Sequence, residues 1–403
     1  MSLLTTLRKP IKFLLRDDFD TDLPAGAVNG TKCRTGQTRT VTDTENKMSV
    51  AGGKLVISGG KATPVWGDPG VFYPTINRQS GRIMVANIQQ NNKVIIGFAL
   101  STTGAATAAD LAFFPGNIIT GHAGGAQLPS IGSWIADTAY NVAVLLRSNG
   151  MMLLLKSSSD WRLMWVDSRS NVSTIYPAIT NNNAQAEIDT LRIPHRLWLP
   201  TPLLSDGFSL QGISDGKGHA EGIAGGLGSG GGGVEWQGPT WSVSGGYLRN
   251  NPSVPADYYR TATLSTPDVV AGVQIHSLAA GAQAGLTLNL DNQPNPQNLA
   301  TAYLQDGRCY LAKTVSGVKT TVMDQAATFV ADAWLYVIKD GTGYSVYYND
   351  SLLGTTQTIA DPAIVGNRKH CLYSTGGVDI KAVKIYARGT EGQYNLLEEF
   401  MKG

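Results

Sequence analysis

With 403 residues, 42% of them hydrophobic, the chain has material for two or three domains, each with its own core. Only 15% are charged, against roughly 25% in ordinary soluble domains, and the net charge of +2 excludes a field that would draw the chain onto nucleic acid or an anionic membrane. No stretch reaches the ~18 unbroken apolar residues of a membrane span, so no membrane insertion is expected.

In chain order, residues 1–13 read as an arm of apolar and basic residues in which Arg8, Lys9 and Lys12 are candidate docking groups for an assembly. They lack the apolar run and cleavage site of a signal peptide, so synthesis in the cytoplasm is expected. A strand follows at Leu14-Leu-Arg-Asp-Asp-Phe19, then a hairpin at Met48-Ser-Val-Ala-Gly-Gly-Lys-Leu-Val-Ile57, whose Gly-Gly turn can take positive φ. Strand-like runs continue at Arg82–Ile88, Val94–Leu100, Val142–Arg147, Met151–Lys156 and Trp161–Val166, and the alternating Ala186–Ile193 closes the half. The prolines of Leu199-Pro-Thr-Pro202 cannot continue a ladder and mark a boundary. Beyond it the pattern restarts with Leu203-Leu-Ser-Asp-Gly-Phe208 and the hairpin Trp241-Ser-Val-Ser-Gly-Gly-Tyr-Leu-Arg-Asn250. Further strands are read at Val269–His276, Gly285–Leu290, Ala302–Leu304 and Arg308–Thr314. Trp334–Ile338 then turns through Lys339–Gly343 into Tyr344–Tyr348, and Gly377–Tyr386 closes. Helical periodicity is confined to Thr107–Ala112 and Tyr394–Met401.

Two motifs recur in the same order at nearly equal spacing, so the chain is a duplication. The Trp-led runs at Trp161 and Trp334 are matched as equivalents, and Ala186–Ile193 is matched to Gly377–Tyr386. The expected fold is all-β: two tandem antiparallel jelly-roll β-sandwiches, with an arm at 1–13, modules at 14–200 and 201–390, and a tail at 391–403. Asn395-Leu-Leu-Glu-Glu-Phe400 also resembles the two Asp-Phe openings, so the tail reads as a vestigial third start or as a frayed helix.

The succession of Asp-Phe strand, Gly-Gly hairpin, Trp-led strand with an Asp-Gly turn and Asp-containing closing strand resembles the concanavalin-A-like (laminin-G-like) jelly-roll superfamily. The resemblance implies two curved antiparallel sheets with first and last strands paired. Its members include lectins, polysaccharide-binding modules, glycosidases and exterior domains of bacteriophage virions. Low charge and Gly/Ser/Thr/Asn richness look most like the phage group. The expectation is therefore a non-catalytic virion structural or decoration protein on the particle exterior, a homo-oligomer bound to neighbouring capsid or tail proteins and to a host surface glycan. The alternative is a carbohydrate-binding module pair of a secreted or surface polysaccharide-recognising protein. Fold alone does not choose between them.

The jelly-roll glycosidases carry Glu-x-Asp-x-(x)-Glu on one strand, where alternate residues share a face. Here Glu187-Ile-Asp189 is followed by Thr190, Leu191 and Arg192, so the second glutamate is missing and no enzyme is expected. The three cysteines form no CxxC pair, the five histidines have no metal-ligand spacing, and the glycine run at Gly222–Gly233 lacks a phosphate-loop Lys. Asp18, Asp20 and Asp22 lie close enough in sequence to be candidate calcium ligands, as in many jelly-roll lectins, and no other cofactor is expected. Sugar rings stack on exposed aromatics, so Trp66, Trp134 and Trp236 and the pair Tyr258-Tyr259, all placed near Gly or Pro in loops, are the candidate sugar platforms. Trp161, Trp241 and Trp334 sit inside strand patterns and are assigned to the core.

Overall fold

The computed structural model describes residues 11–389 and 395–402, apart from 61, 64–66, 92, 100–101, 103–110, 115–117, 124–125, 128–131, 134, 148–149, 157–160, 167–173, 183–184, 201, 209–240, 251–257, 293–294 and 350. Two compact units divide the chain: Met1–Pro200 together with Thr390–Gly403, and Thr201–Gly389. Each is built from two antiparallel sheets.

In the first unit an eight-stranded sheet runs Trp161–Val166, Met151–Lys156, Ala139–Leu146, Ile83–Gln90, Ala186–Pro194, Lys54–Ile57, Met48–Ala51, with Phe13–Asp17 also on Ala186–Pro194. Its second sheet centres on Lys93–Ala99, Thr174–Asn182 and Gly70–Phe72. The second unit repeats the order: Ser242–Ser244, Tyr247–Asn250, Val378–Ala387, Val269–Leu278, Trp334–Asp340, Gly343–Tyr348, with Leu204–Asp206 on Val378–Ala387. Its other sheet is Tyr258–Thr263, Lys369–Ser374, Ala284–Leu290, Leu299–Gln305, Arg308–Val315, Val318–Ala326. Ala271, Val273, Leu335 and Val337 from one sheet meet Leu286, Leu288, Ala302 and Leu311 from the other in one buried cluster, so the core lies between the layers.

The duplication extends to hydrogen-bond register. First and last strands pair in both units, Leu15 opposite Ile193 and Leu204 opposite Ile385. Both hairpins turn on Gly-Gly with positive φ, 59° and 77° at Gly52 and Gly53, 60° and 81° at Gly245 and Gly246, a twist that suits two-residue hairpins. The Asp-Phe signature has a local cause. Asp17 accepts the Phe19 N–H at 3.2 Å, and Asp206 accepts that of Phe208 at 2.8 Å. Each short bond holds its phenylalanine at positive φ, 52° and 49°, with the ring buried. That conformation costs roughly 1–3 kcal/mol, which burial of the ring offsets.

Sheet order corrects one equivalence. Trp334–Asp340 lies beside Val269–Leu278, and the strand beside Ile83–Gln90 is Ala139–Leu146; Trp161–Val166 is two places further out. The two Trp-led runs therefore occupy different places in their sheets and are not copies of one another. Trp161 and Trp241 are buried, whereas Trp334 is only half-buried, stacked on Tyr336 at 5.3 Å. Several strands escape the sequence, among them Thr174–Asn182, Lys369–Ser374, Tyr258–Thr263 and the exposed edge strand Val318–Ala326. Of the two helix candidates, residues 107–110 fall outside the described residues while Leu111 and Ala112 belong to a strand. The tail forms the helix Asn395–Lys402, neither frayed nor a third start. It packs on Ile83–Gln90 and Ala186–Pro194, burying Leu397 and Phe400. Glu398 accepts from Trp161 Nε1 at 2.6 Å and Lys156 at 2.7 Å. Arg192 donates to the carbonyls of Phe400 and Met401, which a helix end leaves without an internal partner.

Candidate functional site

A concavity lined by polar groups lies in the first unit, where the closing strand Ala186–Pro194 begins between the hairpin's return strand and the end of Ile83–Gln90. Glu187 is in register with Val56 on one side and Gln89 on the other. The pocket is about 260 Å³ and is lined by Val56, Ser58, Gln89, Asp137, Gln185 and Glu187, among others. That is close to the lower end of the ~300–1,000 Å³ typical of small-molecule sites. Several lining groups are held by neighbours. Gln89 donates to the Asp137 carbonyl at 2.8 Å, Asp137 N–H reaches Gln90 O at 2.9 Å, and Gln185 and Asn91 are joined by three bonds of 2.9, 3.1 and 3.1 Å. These bonds fix the side chains of Gln89, Asn91 and Gln185 and the backbone of Asp137 at the rim.

Glu187 is tied to Lys54 at 2.6 Å, which raises the lysine pKa through that hydrogen bond and charge. The second unit has an ion pair at the same closing-strand position but with a different partner: Asp379 meets Arg249 directly opposite at 3.1 Å, whereas Lys54 reaches Glu187 from two residues before its opposite, Val56. Both closing strands also bulge two residues later, at Asp189 and at Lys381. The acidic residue on the closing strand thus belongs to the frame of the duplicated unit.

The residues singled out in the sequence are scattered. Trp66, Trp134 and Trp236 lie outside the described residues, as do Arg8 and Lys9. Tyr258 and Tyr259 are not in a loop: they occupy an edge strand, opposite Ser374 and Tyr373, because the chain pairs there in spite of the preceding proline. Lys12 offers its carbonyl to the His195 N–H at 2.8 Å. The three aspartates do not converge. Asp18 pairs with Arg16 at 2.6 Å, Arg192 at 2.7 Å and Arg34 at 3.4 Å, Asp20 faces Arg34 at 3.4 Å, and Asp22 accepts the Gly52 N–H at 2.9 Å. Burial pushes the Asp18 carboxyl up, but the bonds from Arg16 and Arg192 outweigh it and leave it below its ordinary value. Among the described residues no group of three His, Cys, Asp or Glu side chains could hold a metal ion, and a donor set already neutralised by arginines does not fit calcium. Sequence reasoning missed Gln89, Asp137 and Gln185, which no local motif connects; only the pairing of three distant strands brings them together.

No protein-family model and no curated protein matches the chain. Solved structures similar to it include the carbohydrate-binding module CBM66 from Bacillus subtilis, at 14% identity and a TM-score of 0.31 over 38% of this chain and 95% of that one. A mutant of the GH43 protein BlXynB from Bacillus licheniformis is 11% identical, with a TM-score of 0.33 over 85% of this chain and 96% of that one. The CBM40 of a Ruminococcus gnavus IT-sialidase, bound to α2,3-sialyllactose, is 15% identical, with a TM-score of 0.24 over 34% of this chain and 82% of that one. Likenesses of this size say nothing of what this chain does.

Proposed function

We propose that the chain is a non-catalytic carbohydrate-binding protein whose first unit takes a saccharide in the rim pocket. The observation that carries this reading is the pocket's wall: Gln89, Gln185, Asp137, Glu187 and Ser58 around an opening of about 260 Å³. Amides and carboxylates held by neighbouring strands suit the hydroxyls of a sugar, each of which donates and accepts. Val56 supplies an apolar contact for the ring's C–H face. The reading is non-catalytic because the Glu187 carboxylate is ion-paired with Lys54, and the acidic residue at the same closing-strand position of the second unit, Asp379, is ion-paired too. Retaining hydrolysis asks for one free carboxylate nucleophile and one protonated acid. Docking on a virion has no observation among the described residues in its favour, so sugar recognition takes its place.

A glycan array on the full chain, followed by calorimetry, tests the proposal. Gln89→Ala and Asp137→Asn, the latter keeping a side chain that tolerates the positive φ of 59°, are each expected to weaken the best glycan at least ten-fold with the unit still folded by circular dichroism. A blank array, or affinity indifferent to both substitutions, would refute the site. Cleavage of the bound glycan that disappears in Glu187→Gln would refute the non-catalytic reading.

A further inference from the structure

A second site lies on the six-stranded sheet of the second unit, on the face opposite its core. Tyr303 and Tyr373 are both in register with Gly285, one from each side, so no side chain separates them. Their rings stand 5.6 Å apart at an angle of 58°, and Tyr310 stacks on Tyr303 at 5.1 Å. Two tilted rings form a corner with electron-rich faces turned toward one point. At that point sits an ammonium group of the chain itself: Lys319 Nζ is 4.4 Å from the Tyr303 centroid and 5.5 Å from that of Tyr373. Tyr373 is held by its hydroxyl, which donates to Gln283, and Gln283 in turn donates to Gln305 at 2.9 Å. Gly285 is required there, since an added Cβ would fall 2.0 Å from the Ala302 carbonyl oxygen.

We propose that Tyr303, Tyr373 and Tyr310 form a binding site for an ammonium group on a ligand, occupied in this conformation by Lys319. The lysine comes from the edge strand Val318–Ala326 and is itself exposed, while the Tyr303 and Tyr373 rings beneath it are buried. A primary ammonium is strongly hydrated, whereas a quaternary one is not, and aromatic faces attract cations most when those cations shed water cheaply. A choline-type group therefore competes well for the corner that Lys319 fills, and a protonated amino sugar is the other source of the same chemistry. This site is independent of the rim pocket, and neither depends on the other being correct.

The test is titration of the full chain with choline, glucosamine and the neutral choline isostere 3,3-dimethylbutan-1-ol, followed by NMR or tyrosine fluorescence. Lys319→Ala is expected to bind choline at least ten-fold more tightly than the unaltered chain and to leave the neutral isostere unbound. Glucosamine binding as tight as choline binding would support the site and make the amino sugar its ligand class. Equal affinity in Lys319→Ala and the unaltered chain, or equal affinity for choline and its isostere, would overturn the proposal. Tyr303→Leu in the Lys319→Ala background should abolish binding; should that variant fail to fold, the comparison of cation with isostere decides alone.

Discussion

Phe400→Ala is expected to loosen the first unit, although the residue lies at the far end of the chain. The ring is fully buried on the sheet face that carries Arg192, Lys156 and Trp161. Truncating a buried phenylalanine costs about 3–5 kcal/mol. A domain's whole stability is roughly 5–15 kcal/mol, so the loss is a large share of it. Leu397→Ala, at about 2–5 kcal/mol, acts on the same helix one turn earlier, and the two losses will not add because the residues are neighbours. Glu398→Leu isolates the polar part: it leaves the Trp161 N–H buried without its acceptor, at about 1–3 kcal/mol. Urea unfolding read by tryptophan fluorescence reports directly, since Trp161 lies under the helix. The same seat should weaken in acid. Burial raises the Glu398 carboxyl, but the hydrogen bonds from Lys156 and Trp161 outweigh it and hold it below its ordinary 4.5. Its contribution is complete above 4.5 and is lost as pH falls through the lowered folded-state value. An unfolding free energy for Phe400→Ala within about 1 kcal/mol of the parent would show that the helix rests on the sheet without supporting it.

Acid should also destabilise the second unit through His370, whose burial holds its pKa down to about 4 from 6.5. The neutral ring's contribution is whole above pH 6.5 and falls away between 6.5 and about 4, by roughly 3 kcal/mol, and a pH series of melts on His370→Phe should lack that step. Asp17 accepts two bonds from Arg39 at 2.6 Å and one from Tyr73 at 2.7 Å, all three buried, so Arg39→Ala should cost about 3–5 kcal/mol in a thermal melt by stranding the carboxylate. The Lys54–Glu187 pair is 41% and 45% exposed, and a double-mutant cycle should return about 1 kcal/mol or less. Gly272→Ala places a methyl 2.2 Å from Tyr336 and should lower the second unit's stability by about 1–3 kcal/mol, read as a shifted denaturation midpoint.

The elements that the sequence made legible share one property: their cause is local. Gly52-Gly53 and Gly245-Gly246 need positive φ within two residues, and Asp17 and Asp206 bind a backbone N–H two residues on. Met151–Lys156 was readable to the residue because its apolar run is bounded by turn residues. What stayed hidden depends on long closure. Glu398 meets Lys156 and Trp161 across 242 and 237 residues, and nothing in Asn395–Phe400 announces a seat so far back. The edge strand Val318–Ala326 meets water along most of its length, so no burial pattern is imprinted on it. The rim pocket is hidden for the same reason as the helix seat, its groups coming from strands far apart in sequence.

The two copies show which parts of such a unit are free to change. Their backbone pairing is shared: Val85 lies between Arg192 and Ala143 in the first copy as Gly272 lies between Lys384 and Tyr336 in the second. On this frame the same face is finished in two ways. In the first, small and aliphatic Ala143 and Val85 leave room for a helix, and Arg192 closes on its last carbonyls. In the second, Tyr336 and Trp334 lie where Ala143 and Asn141 would be, an added Cβ on Gly272 would strike both rings, and Lys384 sits 5.9 Å over Trp334. A glycine and two aromatic rings thus fill from within the strands what the other copy fills with a separate helix. Swapping Gly272 for valine alone should therefore fail where Val85 succeeds, because the partner residues changed with it. The inner faces diverged little in character, since both must stay apolar, and so it is the outer faces and rims that distinguish the copies and that can carry different ligands.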